Sequence, residues 1–287
     1  MELGMYQYPS REELVGFFAR HFISLGWFDK TPGQRSTENS GRGHYDNVSG
    51  FVISIRDHWF WITAEHVTER IRIAKEKGQL LGDWHLDDSD ALGARFNMPI
   101  PFDFDDAFKL FFYDDRFGMD YALIYLSPYY RNLLNRNNIE PLNEQAWRIG
   151  IPEDFDFYLL IGLPDELVRL PMNTEVVIKG CVLIPVQRIY EPPSEILTDL
   201  PRFYGRIPDK IANSEYVIED ISGMSGGPIF GFKKDSEDQL RYWVVALQSG
   251  WLKSERIITA CPVQNFADWI DSELEKITTK LDGKALL

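Results

Sequence analysis

The chain has only two cysteines in 287 residues, so no disulfide framework is available to staple it. It also lacks a long apolar run. The longest stretch without a charged residue is the twelve residues 221–232, whereas a membrane-spanning helix needs about 20. Positive charge is in the minority: 30 Lys and Arg stand against 44 Asp and Glu, a net charge of −14. A field of that sign repels phosphate and argues against nucleic-acid binding. The amino terminus has no basic cluster leading into an apolar run, so no secretory signal is expected there. What remains is ordinary globular composition, 44% hydrophobic and 26% charged, which excludes a disordered or collagen-like chain. At about 150 residues per domain the length accommodates two domains, or one of two lobes.

Both cysteines, Cys181 and Cys261, sit in apolar, β-branched runs and are expected to be buried free thiols. A reducing cytosol suits them, and a cytoplasmic location without membrane attachment is the expectation.

Residues 10–25 read as a helix. Ser10 with Glu13 makes a capping box, and Leu14, Phe17, Phe18, His21 and Phe22 recur at helical spacing. The polar segment 30–43 reads as a linker, so residues 1–44 are expected to form a helical extension. Short β runs follow at 50–55 and 59–63, flanking a turn at Arg56, Asp57 and His58, and at 109–113 and 121–126. A short helix at 67–77 and a solvated loop at 113–118 lie among them. A connector at 128–143 leads to further runs at 157–162, 175–189, 215–218, 228–232, 242–248 and 256–260. Residues 263–277, with Phe266, Trp269, Ile270 and Leu274 at helical spacing, predict a terminal helix. Short strands at irregular, turn-separated spacing argue for an all-β fold, an antiparallel barrel or sandwich. The expected division is a first β lobe over 45–140 and a second over 141–287.

The sharpest chemical signal is Gly223-Met224-Ser225-Gly226-Gly227-Pro228. At average residue usage the pattern occurs by chance in roughly one chain of this length in three thousand. The backbone N–H of Gly223 and that of Ser225 can point at one spot and form an oxyanion hole. Serine is a poor nucleophile without a base in reach. All five histidines precede Leu86, which excludes the α/β-hydrolase nucleophile elbow, whose histidine follows its serine. His66 stands where the β run ending in Thr63 gives way to a helix, so its ring can face a cleft. His21 reads as a packed helix residue, and His44, His58 and His85 as solvent-facing. Asp120 opens the apolar run 121–126, a setting that demands a partner for its charge.

The blocks Thr63-Ala64-Glu65-His66, Asp120-Tyr121-Ala122-Leu123-Ile124 and Gly223-Met224-Ser225-Gly226-Gly227-Pro228 resemble, in order, the three motif blocks of chymotrypsin-like (trypsin-like) serine proteases. The resemblance covers about residues 45–275. It implies two antiparallel β-barrels with the site in the cleft between them, His66 and Asp120 from the first and Ser225 from the second. It also implies peptide or protein substrates, hydrolysed through an acyl-enzyme. Met224 stands where digestive members carry the aspartate that binds a newly released amino terminus, so cleavage-driven activation is not expected. Val67 replaces a disulfide cysteine and Glu65 an alanine. These departures look more like bacterial, disulfide-free, intracellular members. By position, Glu219 would lie at the base of the primary pocket and favour Arg or Lys before the scissile bond. Gln248, Ser249 and Gly250 would form the wall that pairs with substrate backbone.

No cofactor is expected: neither a Cys or His pair at metal-ligand spacing nor a phosphate-cradling glycine loop is present. The aspartates 87, 88 and 90 lack the spacing of a calcium loop and read as a solvated acidic face. The competing reading is a catalytically silent protease-fold interaction module, or one activated by a regulatory protein partner. The acidic surface and residues 1–44 motivate it.

Overall fold

A computed structural model describes residues 11–32, 43–91, 93–95, 98–168, 177, 179–193, 202–211, 217–267, 269–270 and 273. Among the described residues, thirteen strands, all paired antiparallel, form two units. In the first, β1 (Phe22–Asp29), β2 (His44–Ile55), β3 (His58–Thr63), β4 (Leu81–Asp87), β5 (Ile100–Pro101), β6 (Lys109–Asp114) and β7 (Met119–Leu126) follow the order β5-β4-β1-β2-β3-β7-β6. In the second, β8 (Phe157–Gly162), β9 (Val182–Ile189), β10 (Phe203–Arg206), β11 (Pro228–Lys234), β12 (Leu240–Leu252) and β13 (Ile257–Pro262) close into a barrel, β10-β13-β12-β11-β8-β9. The expected all-β class holds. The first lobe is a seven-stranded sheet ending at β5 and β6 rather than a second hydrogen-bonded closed barrel.

The turn between β2 and β3 falls at Arg56 and Asp57, both left-handed (φ 47° and 65°), the conformation that matches the twist of a two-residue hairpin. Helix α1 (Arg11–Ala19) stops at residue 19, short of the expected 25. From Phe22 onward the aromatic and β-branched residues instead form β1, which is buried at every position and pairs with both β2 and β4. The first lobe therefore begins well ahead of residue 45. Strand β4, in the stretch where His85 reads as solvent-facing, alternates buried Trp84 and Leu86 with more exposed neighbours. Residues 128–143, expected as a connector, contain helix α3 (Pro128–Arg136). Residues 263–267 and 269–270 are helical, as expected. The expected run 215–218 and the first part of 175–189 fall largely outside the described residues.

One apolar core runs through both lobes, joining Trp61, Tyr121 and Trp147 to Ile161, Phe230 and Phe266. Helix α1 anchors on the second lobe through Phe18, whose ring lies 5.1–5.4 Å from those of Phe230, Phe232 and Tyr242. The next turn places His21, 3% exposed, between Glu140 and Tyr242. Its Nδ1–H donates to the Glu140 carbonyl at 2.7 Å, while Nε2 accepts from Arg20 Nε at 3.2 Å. Burial is the main reason its pKa falls to about 4. His85 is stacked on Tyr45 at 5.7 Å rather than facing solvent.

The acidic group at 87–90 is also less solvated than its sequence suggests. Asp87 pairs at 2.7 Å with Lys179, whose side chain is only 5% exposed. Asp88 accepts from Asn137 at 2.9 Å, and burial pushes its pKa up to about 6. Both cysteines are free and buried.

Candidate active site

Strand β3 ends at Thr63, and Ala64 caps helix α2 (Glu65–Glu76), so His66 lies in the first helical turn. The β3–β7 register pairs Thr63 with Ala122. Two residues further along each antiparallel strand, this brings Asp120 beside the start of α2. Asp120 Oδ2 accepts from His66 Nδ1 at 2.7 Å, and Oδ1 accepts the backbone N–H of the same residue at 2.9 Å. The carboxylate thus clasps the residue at two points. With the Nδ1 proton committed, Nε2 is the ring nitrogen left to take another. The Asp120 side chain is 8% exposed and that of His66 32%, so the charge is shielded while the imidazole faces outward.

The glycine-rich motif forms a turn between Ile221 and β11. Three consecutive peptide planes in it are pinned by their carbonyls. Ser222 O accepts from Asp165 N at 2.8 Å, Gly223 O from Ser49 N at 3.1 Å and Ser49 Oγ at 2.8 Å, and Met224 O from Gly227 N at 2.8 Å. In a trans peptide the N–H points opposite to the C=O, so the N–H directions of Gly223, Met224 and Ser225 are fixed as well. Met224 N donates to Ile221 O at 3.0 Å and Gly226 N to Gln248 O at 2.8 Å. Those of Gly223 and Ser225 have no acceptor among the described residues. Two uncommitted donors on alternate residues of a rigid turn are what an anionic oxygen requires.

The turn is seated on the first lobe. At Gly226 (φ +94°), a Cβ would lie 2.1 Å from Thr63 Oγ1 and 2.2 Å from Ser49 O. Since Thr63 stands three residues before His66, this close approach holds the serine turn against the strand that leads to the histidine. Gly226→Ala combines a left-handed backbone penalty of about 1–2 kcal/mol with overpacking of about 1–3 kcal/mol, so a loss of about 2–5 kcal/mol is expected in urea unfolding. An unchanged midpoint would show that the two lobes do not meet this tightly.

Ser225 is half-buried and, with Gly223, lines a cavity of about 470 Å³ whose other walls include Val67 and Arg70 of α2 and Asp46, Asn47 and Asp165. Burial is the first cause of a raised Asp46 pKa, with Asp29 adding to it and His44 and Arg70 opposing. Among the described contacts there is no hydrogen bond between Ser225 Oγ and His66. Catalytic hydrogen bonds commonly tighten only when substrate is bound.

The residues expected to contact substrate lie as follows. Gln248 is 2% exposed; its N–H donates to Gly227 O at 2.9 Å, its carbonyl accepts from Gly226, and its Nε2 donates to Gly250 O at 3.0 Å. Its backbone is engaged in holding the serine turn, and its side chain is buried. Ser249 occupies a bulge in the β12–β13 register and accepts from Cys261 Sγ at 3.5 Å. Gly250 packs against Thr259, whose Oγ1 would be 2.4 Å from a Cβ there. Glu219 is exposed and lines no part of the cavity beside Ser225. A solvated carboxylate exerts only a screened attraction. Sequence reasoning missed Ser49, Asn47 and Asp165, which buttress the turn from outside its motif.

Neither cysteine is a candidate nucleophile. Burial raises the Cys261 thiol to about 12 and carries that of Cys181 well above its ordinary value. Among the described residues, no three His, Cys, Asp or Glu side chains are grouped to hold a metal, and no helix is long and apolar enough to cross a membrane.

No family model matches the chain, and no curated protein does. Among solved structures, the protease of tobacco vein mottling virus is similar over 91% of this chain and 83% of that one, with 8% identity and a TM-score of 0.45. A cysteine-to-alanine mutant of tobacco etch virus protease is similar over 93% and 82%, with 12% identity and a TM-score of 0.42. Catalytically active tobacco etch virus protease complexed with product gives 94% and 83%, 12% and 0.43. The likeness is one of strand arrangement and assigns no residue. These proteins are viral.

Proposed function

We propose that the chain is a serine endopeptidase. The observation that carries this reading is the pair of uncommitted N–H groups at Gly223 and Ser225, in a turn packed against the strand that leads to the His66–Asp120 pair. Ser225 Oγ attacks the peptide carbonyl while His66 Nε2 takes its proton. The negative charge that develops on the carbonyl oxygen is stabilised by the two N–H groups. Asp120 holds the imidazole in position and stabilises its charged form. His66 then returns the proton to the leaving amine, and water repeats the attack to release the acyl group. Substrate backbone runs along the Ser249–Gly250 segment. Two free thiols and the absence of disulfides suit a cytoplasmic site of action.

The test is cleavage of a proteome-derived peptide library by the purified chain. The expected result is defined cut sites, inhibited by a fluorophosphonate. A library left intact by a folded chain would favour the protease-fold interaction module instead.

A further inference from the structure

We infer that Ser49, a first-lobe residue with no place in the serine motif, positions the oxyanion hole; the inference rests on the peptidase reading above. Ser49 is fully buried on β2. Its Oγ donates to Gly223 O at 2.8 Å and accepts from Leu163 N at 3.0 Å, while its own N–H reaches the same Gly223 carbonyl at 3.1 Å. Its carbonyl accepts from Thr63 Oγ1 at 2.7 Å. One residue thus joins the serine turn, the end of β8 and the end of β3.

The chemistry follows from which peptide plane Ser49 holds. The Gly223 N–H belongs to the 222–223 peptide and the Ser225 N–H to the 224–225 peptide. The plane between them, 223–224, sets how the two donors converge, and its carbonyl is the one Ser49 grips with two donors. The plane is otherwise anchored by the contact of Met224 N with Ile221 O, inside the turn itself. Gly223 is left-handed (φ +88°), in a region where glycine has several accessible conformations. An external clamp is therefore needed to select one. Ser49 touches neither substrate nor reacting atoms, so it is a positioning residue.

Ser49→Ala removes the hydroxyl and keeps the backbone contact. Losing an oxyanion donor costs about 10²–10³ in rate, and loosening one is expected to cost about tenfold in kcat with KM little changed. Affinity for a peptide aldehyde, which forms an oxyanion on Ser225, should fall by a similar factor. Affinity of the uncleaved peptide, measured in a Ser225→Ala background with and without Ser49→Ala, should not change. Ser49→Cys, which retains a donor of similar size, should recover part of the loss. Equal losses in aldehyde and peptide affinity, or none in either, would overturn the inference, because a general structural role moves both together. An inactive wild-type chain would sink the peptidase reading instead. Positioning is then judged by a crystal structure of Ser49→Ala: a turned Gly223–Met224 peptide supports it and an unmoved one overturns it.

Discussion

Ser225→Ala is expected to lower kcat for peptide hydrolysis by about 10⁴-fold or more while leaving peptide affinity and fold intact. The magnitude follows from what the hydroxyl alone supplies. Without it no acyl-enzyme forms, and His66 and the two N–H donors can only assist direct attack by water. The lack of a folding penalty follows from its surroundings. Ser225 is half-buried and its Oγ makes no hydrogen bond among the described contacts, so truncation strands no buried partner. Stability should change by no more than about 0.5 kcal/mol. Fluorophosphonate labelling, mapped by mass spectrometry, should fall on Ser225 in the wild-type chain and vanish in the variant. Label persisting on another residue would assign the nucleophile elsewhere. Cys181 and Cys261 are poor alternatives, since burial holds both as neutral thiols.

The parts of this site that could be read from the sequence are those whose chemistry is local. Residues 223–228 announce a tight turn by their glycines, and Asp120 announces a paired charge by opening an apolar strand. His66 is distinguished from His21 because one follows a strand end and the other sits in an aromatic run that becomes core. The parts that could not be read depend on which distant segments meet. Ser49 is one serine among several until β2 is placed beside the serine turn. Asp87 looks solvated until Lys179, from the second lobe, is brought to within 2.7 Å of it. Gln248 reads as a pocket wall by position, yet its side chain is buried and its backbone pairs with Gly226 and Gly227 of the serine turn. Strand β1 was obscured by a coincidence of period: Leu14, Phe17, Phe18 and Phe22 keep helical spacing across the boundary where the helix has already ended. Strand β4, by contrast, shows its alternation in Asp83-Trp84-His85-Leu86-Asp87; its acidic residues concealed a period of two.

Asp120→Asn is expected to cost about 10⁴-fold in kcat, although it replaces one oxygen by a nitrogen of almost the same size. The carboxylate meets two donors, the backbone N–H of His66 at 2.9 Å and its Nδ1–H at 2.7 Å. Asparagine has one acceptor oxygen for the two. If that oxygen keeps the backbone N–H, the amide nitrogen faces Nδ1, which must then accept. The ring proton moves to Nε2, and Nε2 can no longer take the proton of Ser225. If the oxygen instead keeps Nδ1–H, a backbone donor is left facing an N–H₂ group in a largely buried place. In either arrangement the negative charge that stabilises the imidazolium is lost. Nitrogen-15 chemical shifts of the imidazole separate the two outcomes, because they report which ring nitrogen carries the proton. The expected pattern is low kcat, nearly unchanged peptide affinity in a Ser225→Ala background, and a shift toward the Nε2–H form. Activity within tenfold of wild type would mean that the Asp120–His66 contact holds the start of α2 in place and takes no part in proton transfer.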